Sequence, residues 1–263
     1  MTTPAAQYAD DRNLRVRMQT HARYGVGPAL EAAVDEALGL CGDEHLLDVG
    51  CGPGDFLARL ASAGHRGALA GSDLSSGMVA QAHKRVPTAA FTVADAARLP
   101  LPDAAFDVVT ARHMLYHVAD IPAALAEMRR VLRPGGGFLA VTNASDYMRQ
   151  FHDLLAAALG EDQRFGALTR QRPAMRFEET AAERLIRAAF GNVHLTFQES
   201  ALVFPSPEPV LDYFDTLETM GGIDAAAWPE ARARVAAALP ACFAEGPWRV
   251  SKRVVLAVAG KRS

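Results

Sequence analysis

A handful of acids and three glycines carry the chemistry of the first half of this chain. The stretch LLDVGCGPGDF, residues 46–56, ends an apolar run in Asp48, then sets Gly50, Gly52 and Gly54 at alternate positions before Asp55. Glycine takes positive φ without strain and lets backbone approach a bound molecule, so the loop reads as a cradle built from main chain. Asp73 follows in GSDLSSGM and Asp95 in VADAARLP. Carboxylates placed this way can accept from a diol or an amine, or pair with a cation. A dinucleotide site wants G-x-G-x-x-G, with the helix N-terminus facing a pyrophosphate. Here Asp55 stands where the third glycine of that pattern belongs, and its charge repels a pyrophosphate, which disfavours NAD. Farther on, ARHMLYHVAD brings His113, Tyr116 and His117 close together. A neutral imidazole suits proton transfer near neutral pH, or it can simply fix the turn before the next helix.

These residues need elements to place them. Residues 28–40 begin with proline and repeat apolar residues at helical spacing. Strand-like and helix-like segments then alternate: strands at 45–50, 67–73, 89–95, 106–112 and 137–143, and helices at 55–64, 75–86 and 122–132. Buried apolar strands separated by helices predict a parallel sheet covered on both faces. A helix over 177–190 and strands over 192–200 and 253–260 complete a seven-stranded sheet. Residues 205–249 form a helical insertion before the last strand. Ligands in such sheets bind beyond the carboxyl ends of the strands, where the glycine loop falls.

On these residues the chain resembles the class I S-adenosylmethionine (SAM) dependent methyltransferases. LLDVGCGPGDF is similar to their first motif, ALAGSDLSSGMVAQAHKR to the second strand and its helix, VADAARLPLPDAAFDVVTARHMLYHV to the third and fourth, and LRPGGGFLAVTN to the turn before the fifth. The resemblance covers residues 44–143 and implies an α/β, Rossmann-like fold with SAM as cofactor and S-adenosylhomocysteine as product. It implies that Asp73 takes the ribose hydroxyls and that Leu74 and Met78 pack on the adenine. Asp95 and Ala96 would read the adenine edge. Backbone around Gly50, Cys51 and Gly52 and the carbonyl near Arg112 would hold the amino-acid tail, with Asp48 close by and His113 beside the cofactor. Cys51 otherwise reads as a small residue filling the turn. A cofactor without phosphate, and partly cationic, tolerates Asp48 and Asp55 where a dinucleotide would not.

Methyl transfer from a sulfonium is a direct displacement, so alignment and exclusion of water are the main tasks. His117 is the first candidate for a base, with His113 and Tyr24 beside it as catalytic candidates. The N-terminal segment resembles the lid of small-molecule methyltransferases, in which Tyr8 and Tyr24 would close over the cofactor. Arg17 and His21 fall on one helix face there. Residues 144–176 and 205–249 are expected to wall the acceptor pocket. Four arginines within 164–176 can grip a substrate anion or lie in a solvated loop.

Composition bounds the rest. A chain of 263 residues with formal charge −3, half of it hydrophobic and 22% charged, suits one globular domain: lid and helix over 1–43, cofactor core over 44–143, and the rest of the sheet with its insertion over 144–263. The acidic balance argues against a nucleic-acid partner. Cys41, Cys51 and Cys242 have neither metal nor disulfide spacing, and no acid cluster predicts a metal. MTTPAAQYADDRN holds no apolar leader-like run and no stretch approaches membrane-spanning length, so neither a leader nor a membrane span is expected. The expectation is a cytoplasmic enzyme, monomer or homodimer, that methylates an oxygen or nitrogen of a small molecule, in the manner of bacterial tailoring enzymes of antibiotic biosynthesis. Alternatives are a quinone, RNA or protein methyltransferase, or a non-catalytic SAM-binding regulator or scaffold.

Overall fold

The computed structural model describes residues 12–160, 162–169, 176–218 and 223–260; Tyr8, Arg170 and Arg172 lie outside them. The chain runs α1 (Arg12–Tyr24), β1 (Gly25–Val26), α2 (Leu30–Leu38), β2 (Leu46–Val49), α3 (Asp55–Ser62), β3 (Leu69–Asp73), α4 (Ser76–Arg85), β4 (Ala90–Val93) and β5 (Phe106–Arg112). A short 3-10 turn, Leu115–His117, leads to α5 (Ile121–Val131), β6 (Leu132–Asn143), α6 (Arg149–Leu159) and α7 (Gly166–Thr169). The remainder is α8 (Glu179–Phe190), β7 (His194–Phe204), α9 (Pro207–Asp215), α10 (Trp228–Cys242) and β8 (Trp248–Gly260). These segregate into two compact units. One, the sheet unit, holds the described residues of 30–145, 173–198 and 254–263; the other, the helical unit, holds those of 1–29, 146–172 and 199–253.

In the sheet unit, β2 is buried along its whole length and pairs in parallel with β3 on one side and β5 on the other. β4 follows β3 and β6 follows β5, both parallel, and β8 closes against β6 antiparallel. The chain therefore reverses its direction of travel across the sheet between β2 and β5, the position at which such sheets open a crevice. Local chemistry sets the helices. Ser75 caps α4 by accepting from the Met78 amide, and Asp120 caps α5 by accepting from Ala123. Glu178 caps α8, which ends at Gly191 with φ 80°. Phe138 of β6 stacks on Phe190 of α8 with centroids 4.7 Å apart, fixing helix to sheet.

Among the described residues the sheet has eight strands, in the order β1-β7-β8-β6-β5-β2-β3-β4, where seven were expected. The additional one is the two-residue β1, whose Gly25 and Val26 pair antiparallel with Leu202 and Ala201 within the helical unit. Two residues give no periodicity to read. β7 runs on past the expected 200 and β8 starts before the expected 253, because Leu202, Phe204, Trp248 and Val250 are buried in the second core. The insertion supplies α9 and α10, with Phe214 stacked on Trp228 at 4.7 Å. No helix among the described residues is long and apolar enough to cross a membrane.

Phe138 is fully enclosed, and Phe138→Ala should cost about 3–5 kcal/mol. Urea unfolding of the two proteins measures it; a difference below about 1 kcal/mol would mean that the Phe138–Phe190 stack does not hold α8 to the sheet.

Candidate functional site

The three loop glycines do different work. A Cβ on Gly50, at φ 69°, would lie 2.6 Å from the Met114 side chain, and one on Gly54, at φ 82°, would meet Ala82 of α4 at 3.0 Å. Those two permit close packing. Gly52, at φ 54°, would point a Cβ into open space, so its surface is available to a ligand. The amides of Gly50 and Cys51 donate to the Ser72 carbonyl, pinning the loop to the end of β3. Cys51 is buried, and burial pushes its thiol far above the ordinary range, so it fills the turn and is no nucleophile.

Asp73 is held from both sides. Its Oδ2 accepts from the Gly52 amide at 3.0 Å and its Oδ1 from the Ser75 amide at 2.8 Å. Each oxygen keeps a further lone pair, and both positions are fixed in advance. Leu74, next in the chain, is 50% exposed, and Val93, opposite Asp73 on β4, is 51% exposed. Met78 is 2% exposed and buried in the fold. Of the two side chains expected on an adenine, Leu74 alone presents its surface. Asp95 is exposed, with Oδ1 accepting from the Ala97 amide, and Ala96 beside it is buried.

Asp48 sits at the centre of the sheet, 3% exposed, accepting from the Thr110 hydroxyl at 2.6 Å. Burial raises its carboxyl to about 6, against the opposing pull of Arg112 and Thr110. Arg112 lies 4.4 Å over the Phe56 ring, pairs with Glu31 of α2 at 2.6 Å, and leaves Nε buried without a hydrogen-bond partner. This bridge from α2 to the end of β5 joins residues too distant in sequence to be foreseen. Asp55 pairs with Arg85, which also donates to the Pro53 carbonyl. Its charge is therefore partly answered, and the open Gly52 and the donor set say more about the ligand than Asp55 does.

His113 follows β5 at φ 52°, a strained value for a non-glycine residue, and its amide donates to the Val141 carbonyl. Half-buried His117 ends the 3-10 turn with its ring 4.5 Å from that of Tyr116. In the helical unit, Tyr24 packs on Phe204, and the Arg23 guanidinium lies over its ring. Arg164 is engaged by Asp162 and Glu230, and Arg176 donates to the Ala119 carbonyl. The arginine-rich stretch is thus tied locally at both described ends.

The residues present fit a ligand with a diol, an amine and positive charge. Asp73 offers fixed acceptors, Asp95 an exposed carboxylate and Asp48 a buried one; an exposed Leu74 offers an apolar face, and the cradle at Gly52 is open. They do not fit a pyrophosphate, for which three carboxylates are the wrong charge. A diol, an amine and a positive charge are groups that SAM carries.

Comparison with known proteins agrees. Residues 47–140 match the family model described as a methyltransferase domain. A malonyl-[acyl-carrier protein] O-methyltransferase of Serratia marcescens is 36% identical over 142 residues, covering 52% of this chain and 55% of that protein. A demethylmenaquinone methyltransferase of Beutenbergia cavernae is 44% identical over 101 residues, covering 38% and 41%. The chain thus spans about half or less of these relatives. Among solved structures, the [4+2]-cyclase SpnF shares the fold at a TM-score of 0.58 and 19% identity, covering 100% of this chain and 99% of that one.

Asp48 yields a test. Its native carboxyl lies above the unfolded value of 3.8, so the native state binds this proton more tightly than the unfolded one. Ionising it costs stability as pH rises through that window, and the cost, on the order of 3 kcal/mol, is complete above about pH 6. Asp48→Asn should remove this slope, leaving a protein at least as stable as the parent near neutral pH, with the advantage fading below about pH 5. Urea titrations at both values check it. A variant markedly less stable at neutral pH would make ionised Asp48 a net stabiliser.

Proposed function

We propose that this chain, whose residues 47–140 form a class I SAM-dependent methyltransferase domain with SAM as cofactor, transfers a methyl group to an oxygen or nitrogen of a small molecule. The observation that carries the proposal is the carboxylate of Asp73, immobilised by two backbone amides beside an open glycine cradle. When bound, SAM supplies an electrophilic methyl group on a cationic sulfur. Asp73 accepts the ribose hydroxyls, Leu74 covers one adenine face, and Asp95 with the Ala96 amide reads the adenine edge. The backbone of Gly50, Cys51 and Gly52, with the carbonyl of Arg112, takes the charged tail. Ionised Asp48 beneath the loop favours a cation above it. His117 is the base that takes the acceptor's proton where the acceptor must lose one, and His113 orients beside it.

Bacterial specialised metabolism, in the cytoplasm, is the setting we propose, as a monomer or homodimer and with no nucleic-acid partner; the O-methyltransferase relative supports an oxygen acceptor. Because a cyclase shares this fold, binding of the cofactor alone does not establish transfer. The deciding experiment is titration calorimetry with SAM, S-adenosylhomocysteine and NAD, followed by detection of S-adenosylhomocysteine release with candidate acceptors. Binding of the two sulfur compounds without NAD, then release, is expected; binding with no release for any acceptor would point to a scaffold.

Asp73→Ala removes charge-assisted bonds worth about 1.5–3 kcal/mol each and should weaken SAM binding more than tenfold. Unchanged affinity in the folded variant would overturn the ribose assignment. His117→Ala should lower kcat while leaving S-adenosylhomocysteine affinity within about twofold; full turnover would return His117 to a structural role.

A further inference from the structure

The helical unit has a cleft of its own. Between α1 and the segment that runs from α9 to Glu218 lies a cavity of about 420 Å³, within the roughly 300–1,000 Å³ of small-molecule sites. Its α1 wall carries Arg23, and its α9 wall carries Asp212, Asp215 and Glu218. Asp215 is engaged, because Arg232 Nε of α10 donates to both its oxygens at 3.1 and 3.0 Å. The other three charges are exposed, and among the described residues none of them makes an ion pair or a side-chain hydrogen bond. The Arg23 guanidinium instead lies 5.4 Å over the Tyr24 ring, which keeps it on its own wall.

Two buried hydroxyls complete the lining. Thr20 is 6% exposed and Thr216 2%. Each commits its proton to a backbone carbonyl nearby: Thr20 Oγ1 donates to Val16 at 2.8 Å, and Thr216 Oγ1 to Tyr213 at 2.7 Å. What they have left is acceptor capacity alone. The α9 wall and the two threonines therefore call for a cationic donor, and the α1 wall for an anionic acceptor. Val16 and Pro209 give the cleft an apolar patch besides. A lone cation would leave Arg23 unanswered, and a lone anion would meet three carboxylates. A molecule with an amine at one end and a carboxylate at the other answers both walls at once.

We propose that the cleft between α1 and α9 binds a small zwitterion, a free amino acid. Its ammonium lies among Asp212, Glu218 and the threonine hydroxyls, its carboxylate on Arg23, and its carbon chain against Val16 and Pro209. The site goes beyond the methyltransferase reading and does not rest on it. α-Amino and ω-amino acids carry the same two groups at different separations, so the length preferred by the cleft tells them apart.

The test titrates the full chain with L-alanine, 4-aminobutyrate and 6-aminohexanoate, and with butylamine and butyrate as probes of a single charge, followed by saturation-transfer NMR. One of the amino acids should bind about tenfold more tightly than either singly charged probe. Replacing both free acids, Asp212→Asn with Glu218→Gln, should weaken that amino acid about tenfold. Arg23→Gln should weaken it likewise yet leave butylamine bound at least as tightly, since the guanidinium repels an amine. Arg129→Gln removes the same charge from an exposed position on α5 of the sheet unit and should change nothing. All four side chains are exposed, so the variants keep the fold. Equal affinity for the amino acids and butylamine would make the cleft a plain cation site and overturn the assignment. So would no binding of any amino acid, or unchanged affinity in the Arg23 and acid variants.

Discussion

A single carboxylate holds the cofactor end of the sheet unit in shape. Asp73 ends β3 and accepts from amides on either side, one in the glycine loop after β2 and one at the start of α4. The loop needs that restraint, since three glycines in five positions give it a large conformational entropy to lose. The Ser72 carbonyl, just before Asp73, takes two further loop amides. The end of β3 thus organises the loop, and what remains of the Asp73 lone pairs is oriented before any ligand arrives. Preorganisation of this kind lowers the cost of binding.

How far the sequence foretells this depends on the range of the interactions. The alternating strands and helices and the glycine loop are written in short stretches whose chemistry is local, and these elements lie where expected; Asp73 ends β3 and Asp95 follows β4. The family match over 47–140 falls inside the same stretch. Burial was harder to read: Met78 and Leu74 are close in sequence, yet one is enclosed and the other exposed, because the cap at Ser75 turns the chain into α4 between them. Long-range pairs were not legible at all. Nothing near Arg112 announces Glu31, and nothing near His21 announces Tyr147 or Lys252. The one available signal, Arg17 and His21 on a shared helix face, names half of that cluster and neither of its distant partners.

The two units bury titratable groups of different kinds, Asp48 in the sheet unit and His21 in the helical unit. The sheet unit gathers carboxylates under and around its glycine loop, suited to a cationic ligand. Their buried groups also respond to acid in opposite directions. Protonation relieves Asp48, whereas it must place a charge on a His21 that burial and two cations keep neutral. Mild acid therefore strengthens one unit while weakening the other, and unfolding followed by a probe in one need not coincide with unfolding followed in the other.

Each unit is assembled from three separate stretches of chain, and β7 and β8 contribute residues to both. Evolution can readily rewrite the α9–α10 segment, since it enters and leaves by those two strands. It cannot pass the helical unit from one protein to another as a contiguous piece of gene. New specificities in a protein built this way arise by substitution and loop replacement within one reading frame, not by shuffling whole domains, and an engineer grafting a foreign helical unit would have to rejoin the chain at five junctions.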